Sequence, residues 1–308
     1  MLFSLNKIIK LFIIFLIMEV VLLAMNTHIE PTHFVKMPLY SSLLIIQHFP
    51  EVNAFKEKKL PIVNTVYNTK KTAKSFRIIS LKTDKDVLPI TNQKVEPVCY
   101  LNTISLDGLS IEKKKETFIN MMIPSILLAK YKMKMDRKKV IRLSNNSDLS
   151  KEENIWLSQK LEEFKVSNTD DLYNNMELHP TSLIIAQAIV ESGWGTSKFF
   201  KNANNVFGIW SFSKKDKRMV ASEKRGEKAV YLKKYGTIHE SIYDYLLTIS
   251  KVSYYQSFRE KRLETQDPFV LIEHLDKYSE QGDEYIANIK NIMKKNQLID
   301  YDSYDLNL

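Results

Sequence analysis

Glu191 closes an apolar run, Leu183 to Val190, and Ser-Gly-Trp-Gly follows it at once. A carboxylate at the C-terminal end of a helix is disfavoured by about 0.3–1 kcal/mol, because that end carries partial negative charge. A residue placed against this preference needs a chemical reason. With residues 182–191 helical, Glu191 shares a face with Gln187 and Leu183, and with Ala188 and Ile184. Desolvation by such neighbours raises a carboxyl pKa, and the negative helix end raises it further. A carboxylic acid still protonated near neutral pH is what general-acid chemistry requires. The plainer alternative is a solvated glutamate at a helix end.

The residues that follow favour the chemical reading. Trp194 lies beside the carboxylate. Within twenty residues come paired amides, Asn204 and Asn205, and two aromatics, Phe207 and Trp210. Amides donate to and accept from sugar hydroxyls and N-acetyl groups, and aromatic faces stack on pyranose rings. Gly208 lets backbone approach a ligand closely. Phe207 also suits a core, and an Asn pair also makes turns.

These residues need elements to hold them. Helical spacing of apolar residues runs through Phe118, Met121, Met122, Ile126, Leu127 and Tyr131, with Pro124 expected to kink the helix or open a new first turn. Ser150 and Glu153 form a capping-box signature, with an apolar face through Ile155, Leu157, Leu161 and Phe164. Thr181 or Ser182 is expected to cap the helix that ends near Gly193. Six of the seven glycines fall between Gly193 and Gly282, and residues 204–236 read as a small β-hairpin lobe between helices. Further helices are expected at 237–252, 268–280 and 283–296. The fold class is α+β, a mostly helical domain with a small β-hairpin lobe and a cleft between the lobes.

The 308-residue chain carries a net charge of +9, which favours anionic partners such as nucleic acid, acidic lipid or acidic wall polymer. There is no zinc-finger spacing, RNP-like aromatic motif or heptad basic region, so nucleic acid is not expected. Cys99 is the only cysteine, which excludes an internal disulfide and a cysteine metal cage. It reads more readily as a small apolar residue than as a nucleophile. No cofactor or metal is expected. Lys7 and Lys10 precede a long apolar run over residues 11–25, interrupted by Glu19. Its Leu, Ile, Phe and Val residues favour insertion by about 5 kcal/mol, and the carboxylate costs about 3 kcal/mol. No small-x-small cleavage site follows, so residues 1–25 are expected to form a retained inner-membrane anchor or an uncleaved signal, with the rest in the periplasm. Residues 26–110 hold six prolines over 26–105 and read as a spacer of uncertain structure, ahead of a catalytic domain over 111–300.

The stretch "AQAIVESGWGTSKFFKNANNVFGIW" resembles the glucosaminidase domain of glycoside hydrolase family 73, in its Bax-like branch and akin to the FlgJ muramidase domain. "YGTIHESIYDYLLTI" resembles the family's Tyr-x-x-x-x-x-Ser-x-x-Asp-Tyr helix, which opens at Tyr235. "YSEQGDEYIANIKNIM" resembles its Tyr-Ser/Ala-x-x-x-x-x-Tyr segment. The resemblance spans about residues 115–297. It implies a lysozyme-like fold and hydrolysis of the β-1,4 glycan of peptidoglycan after N-acetylglucosamine, without amidase activity. It makes Glu191 the catalytic acid and Tyr278 the active-site tyrosine. The cleft residues it implies are Asn204, Asn205, Phe207 and Gly208, and Trp194, Trp210 and Tyr235 are taken with them. Ala203 stands where a glycine commonly precedes the Asn pair. The family's second acidic residue lies in its variable β lobe. Glu223, Glu227 and Asp216 are candidates, and Glu223 is favoured because it follows the extended piece "RMVAS" and precedes a Lys-Arg-Gly turn. Two alternatives remain: a lytic transglycosylase, and a non-catalytic wall-binding scaffold.

Overall fold

The computed structural model describes residues 76–308 except 226 and 227, and no side chain over 222–228. The expected membrane segment, 1–25, lies outside the described residues, as does the spacer up to residue 75. Among the described residues, no helix is long and apolar enough to cross a membrane.

The long helix α1 (Ile111–Ser144) is the spine. Ser110 caps it by accepting from the Lys113 amide, and Phe118, Met121, Met122, Ile126 and Met133 lie on its buried side. Pro124 neither ends nor restarts the helix. It is buried in the core, where packing offsets the backbone hydrogen bond that proline cannot donate. In α2 (Lys151–Phe164) the expected capping box closes both ways, Glu153 N to Ser150 Oγ at 3.2 Å and Ser150 N to Glu153 Oε2 at 3.1 Å. The short α3 (Thr169–Asn175) follows.

The central element is α4 (Thr181–Ser192), in which every residue but Val190 is buried. A helix apolar on all sides belongs in a core, and α4 packs against α1, against α9 (Asp283–Lys295) and against a 3₁₀ segment at Leu298–Ser303. Neither Thr181 nor Ser182 serves as its cap. Pro180 holds the N-cap position, and Asp302 supplies the acceptors from 120 residues away, taking the Ser182 amide and hydroxyl at 2.7 Å each.

After α4 come α5 (Lys198–Ala203), then an antiparallel hairpin of β4 (Arg218–Arg225) and β5 (Lys228–Lys233). The helices α6 (Ile238–Lys251), α7 (Gln256–Glu264) and α8 (Pro268–Leu271) lead into a 3₁₀ segment at Ile272–Tyr278. The expected helical α+β domain with one small β-hairpin lobe is therefore what forms.

The spacer reading does not hold for residues 76–110. Strand β1 (Arg77–Ile79) pairs in parallel with β3 (Val98–Tyr100), and β2 (Lys94–Val95) pairs with β6 (Asp305–Leu306) near the C-terminus. Val98, Tyr100, Ile104 and Leu106 are buried in the same core as the helices. The strands are too short to show alternation, and each finds its partner far along the chain. Burying four such side chains contributes more than about 5 kcal/mol. A fragment beginning at residue 111 is therefore expected to melt about 10 °C or more below one beginning at residue 76. Equal melting temperatures in calorimetry would restore the spacer role.

Candidate active site

The residues after Glu191 form a left-handed turn. Gly193, Trp194 and Gly195 have φ of 58°, 56° and 76°. Glycine tolerates this and tryptophan does not, so the turn holds local strain at Trp194. The turn is tied to the helix: Trp194 N donates to Ile189 O (3.1 Å), and Gly195 N donates to Ser192 Oγ (3.0 Å). A side chain at Gly195 would meet Phe200, Phe118 and Leu106 at 3.0–3.2 Å. Glu191 is thus held on the last turn of a buried helix, and is itself only 6% exposed.

Around it stand four tyrosines. Tyr285 donates its hydroxyl to Glu191 Oε1 at 3.3 Å. Tyr278 stacks on Tyr285 (centroids 5.5 Å apart, 23°), with Tyr245 at 6.3 Å and Tyr255 at 6.0 Å from it. Burial pushes all four hydroxyls up, and the charge of Glu191 pushes them further. All four remain protonated. Tyr278 and Glu191, named from the sequence, are brought together. Gln187 joins them from the Glu191 face of α4, and Tyr285 from α9 and Tyr245 from α6 reach it through tertiary packing that local sequence does not show.

The Asn pair has a different role from the one expected. Asn204 accepts from Thr103 N (3.0 Å) and donates to Leu101 O (3.0 Å) and Tyr235 O (3.1 Å). Asn205 accepts from Ile209 N and donates to Ile209 O and Lys233 O, all at 2.9 Å. Both are buried, and both amide N–H donors of each are spent inside the protein. They fasten the hairpin and the 101–103 segment to α5 rather than reading sugar. Asn205→Ala would strand three backbone or amide partners, and is expected to cost about 3 kcal/mol. Its melting temperature should drop by about 6–12 °C. An unchanged melt would free Asn205 for ligand contact.

Other expected cleft residues divide likewise. Phe207 is core, stacked on Tyr245 at 4.2 Å. Trp194 packs edge-on against Phe118 at 5.6 Å, with Lys115 above its ring. Tyr235 donates its hydroxyl to Asp244 (2.7 Å), beside the Lys233–Asp244 pair. Gly208 adopts φ 65°, which a side chain would strain, and no crowding meets it there. Trp210 bridges to Leu232 on the hairpin and stacks on Phe212, which is 58% exposed. That pair offers aromatic surface, and Phe212 escaped the sequence reading.

Of the acidic candidates, Asp216 accepts from Ser211 Oγ (2.8 Å) within the turn before β4. Glu227 lies outside the described residues. Glu223 lies in β4 where the pairing is irregular: Val220 faces Tyr231 and Lys224 faces Ala229, so the strand carries extra residues between them. Bulges of this kind bend a strand locally.

A buried glutamate thus ends a core helix, with four neutral tyrosines around it. Residues 167–298 match the glucosaminidase family model, described as mannosyl-glycoprotein endo-beta-N-acetylglucosaminidase. It is 27% identical over 198 residues to Protein bax of Escherichia coli (strain K12), covering 60% of this chain and 70% of that protein. Similar solved structures include the catalytic domain of the autolysin Auto from Listeria monocytogenes (20% identity, 54% of this chain and 97% of that one, TM-score 0.35). A C-terminally truncated glycoside hydrolase domain of Salmonella typhimurium FlgJ is another (17% identity, 45% and 96%, TM-score 0.31).

Proposed function

We propose that this chain is a peptidoglycan hydrolase, an endo-β-N-acetylglucosaminidase that cuts β-1,4 bonds with Glu191 as general acid. The observation that carries the reading is Glu191 itself: buried on the last turn of α4, with Tyr285 bonded to Oε1. Glu191 gives its proton to the glycosidic oxygen as the bond to the anomeric carbon breaks. The positive charge left on the sugar is met by a second carboxylate, for which Glu223 is the candidate, or by the substrate's acetamide. Water then adds at the anomeric carbon. Tyr278 borders the acid, and Trp210 with Phe212 forms a stacking surface for sugar rings. The net charge of +9 suits an acidic wall polymer. Residues 1–25 would anchor the protein in the inner membrane with this domain in the periplasm.

The test is mass spectrometry of peptidoglycan digested with the full-length protein. Fragments ending in reducing N-acetylglucosamine, each with one water added, are expected. An anhydro sugar would make the protein a lytic transglycosylase. Glycan bound without any product would make it a scaffold.

A further inference from the structure

Glu191 is the end of a longer chain of hydrogen bonds. Tyr285 Oη donates to Glu191 Oε1 over 3.3 Å, and Gln187 Nε2 donates to Tyr285 Oη over 3.1 Å. Tyr245 Oη donates to Gln187 Oε1 over 2.5 Å, and His179 Nε2 meets Tyr245 Oη at 3.2 Å. All five residues are buried. Gln187 lies one turn before Glu191 on α4, Tyr245 comes from α6 and Tyr285 from α9.

The direction of the chain follows from its far end. His179 Nδ1 is buried and has no partner among the described residues. An N–H left without an acceptor in such a place is rare. Burial, then the positive charges of Arg262 and Lys130, hold the His179 pKa well below its ordinary value, so the ring is neutral. Its single proton therefore sits on Nε2 and goes to Tyr245. The one proton of Tyr245 goes to Gln187 Oε1. That fixes the amide, whose nitrogen then faces Tyr285 and leaves the Tyr285 proton for Glu191.

We propose that His179, Tyr245 and Gln187 are positioning residues, forming a one-way hydrogen-bond chain that acts through Tyr285 to fix the orientation and proton of Glu191. The inference rests on Glu191 being the general acid. An oxygen that accepts a hydrogen bond is the poorer site for a proton, so the proton for the leaving group is carried on Oε2. Hydrogen bonds in series polarise one another, so the far links act on the near one. A donor to a carboxylate favours the ionised form, so the chain opposes the burial of Glu191 and lowers the pH at which its proton is lost. Among the described residues, Tyr245, Tyr255, Tyr278 and Tyr285 feel the Glu191 charge, and all four are neutral.

The test compares full-length Tyr285→Phe, Gln187→Met and Tyr245→Phe with wild type on peptidoglycan across pH, with thermal melts. The expected result is kcat lower by about tenfold for Tyr285→Phe and by about two- to threefold for the other two, with KM little changed. The alkaline limb should move to higher pH in all three, most in Tyr285→Phe. Loss of activity with an unmoved limb in Gln187→Met and Tyr245→Phe would make the chain merely structural and overturn the proposal. Should those variants not fold, ¹⁵N-histidine NMR of the unmodified protein decides. His179 must be neutral with its proton on Nε2, and an Nδ1–H or doubly protonated ring overturns the chain's direction. Glu191→Gln is run alongside: if it stays active, the acid assignment itself has failed, a result distinct from an unmoved limb.

Discussion

Glu191→Gln is expected to lower turnover by about 10³-fold, within the range of a lost general acid, while the protein still folds and still binds glycan. Glutamine keeps the size of the side chain and can still accept from Tyr285. It cannot deliver a proton to the leaving oxygen. The burial that makes Glu191 suitable as an acid also makes the amide tolerable, because removing a buried ionisable group leaves no charge to solvate. A glutamate needed mainly for folding would behave differently: the variant would lose melting temperature along with activity. The discriminating measurements are therefore turnover, calorimetry and glycan pull-down on one preparation. Residual turnover above about a tenth of wild type, with an intact melt, would remove Glu191 from the role of acid.

The placement of Glu191 at the buried end of a helix is legible because its signal is local. An apolar run, a carboxylate at the unfavourable helix end and a glycine-bounded stop all lie within a dozen residues, and the structure keeps them together. The capping box at Ser150 is legible for the same reason. What depends on distant partners is not legible in this way. The Asn204–Asn205 pair looks like a set of sugar readers as long as Leu101, Thr103 and Lys233 are unseen. Their backbone groups take up the amides from 28 to 103 residues away. Asp302 capping α4 has no counterpart in local sequence, since Pro180 offers no side-chain acceptor. Residues 76–110 look like a spacer because prolines break the local pattern. Their order comes from pairing β1 with β3, β2 with β6, and from Tyr100 and Leu106 entering a core built by α1. The family match begins at residue 167, yet Phe118 lies against Trp194 and Thr103 against Asn204. The site is therefore held in part by a region outside the matched segment.

Glu223→Gln is expected to lower turnover by about 10²-fold, with little change in glycan affinity. Protonating the leaving group is half of the reaction, and the sugar that remains carries developing positive charge that needs a carboxylate or the acetamide beside it. Among the acidic candidates of the hairpin, Asp216 is committed to Ser211 in the turn before β4. Glu223 instead occupies the stretch between Val220 and Lys224 where the ladder loses register. Extra residues of this kind bend the strand locally. A bulge is costly to pairing, so its placement at the one acidic position of the strand calls for a use. The hairpin also packs on a small apolar cluster of its own, Phe199, Ala221 and Leu232, apart from the main core. Asp216→Asn, whose carboxylate is bound within a turn, and Glu227→Gln are expected to change turnover by less than about threefold. Full activity in all three variants would transfer the stabilising role to the substrate's acetamide. In that case an analogue of the glycan lacking the N-acetyl group should resist cleavage while still binding.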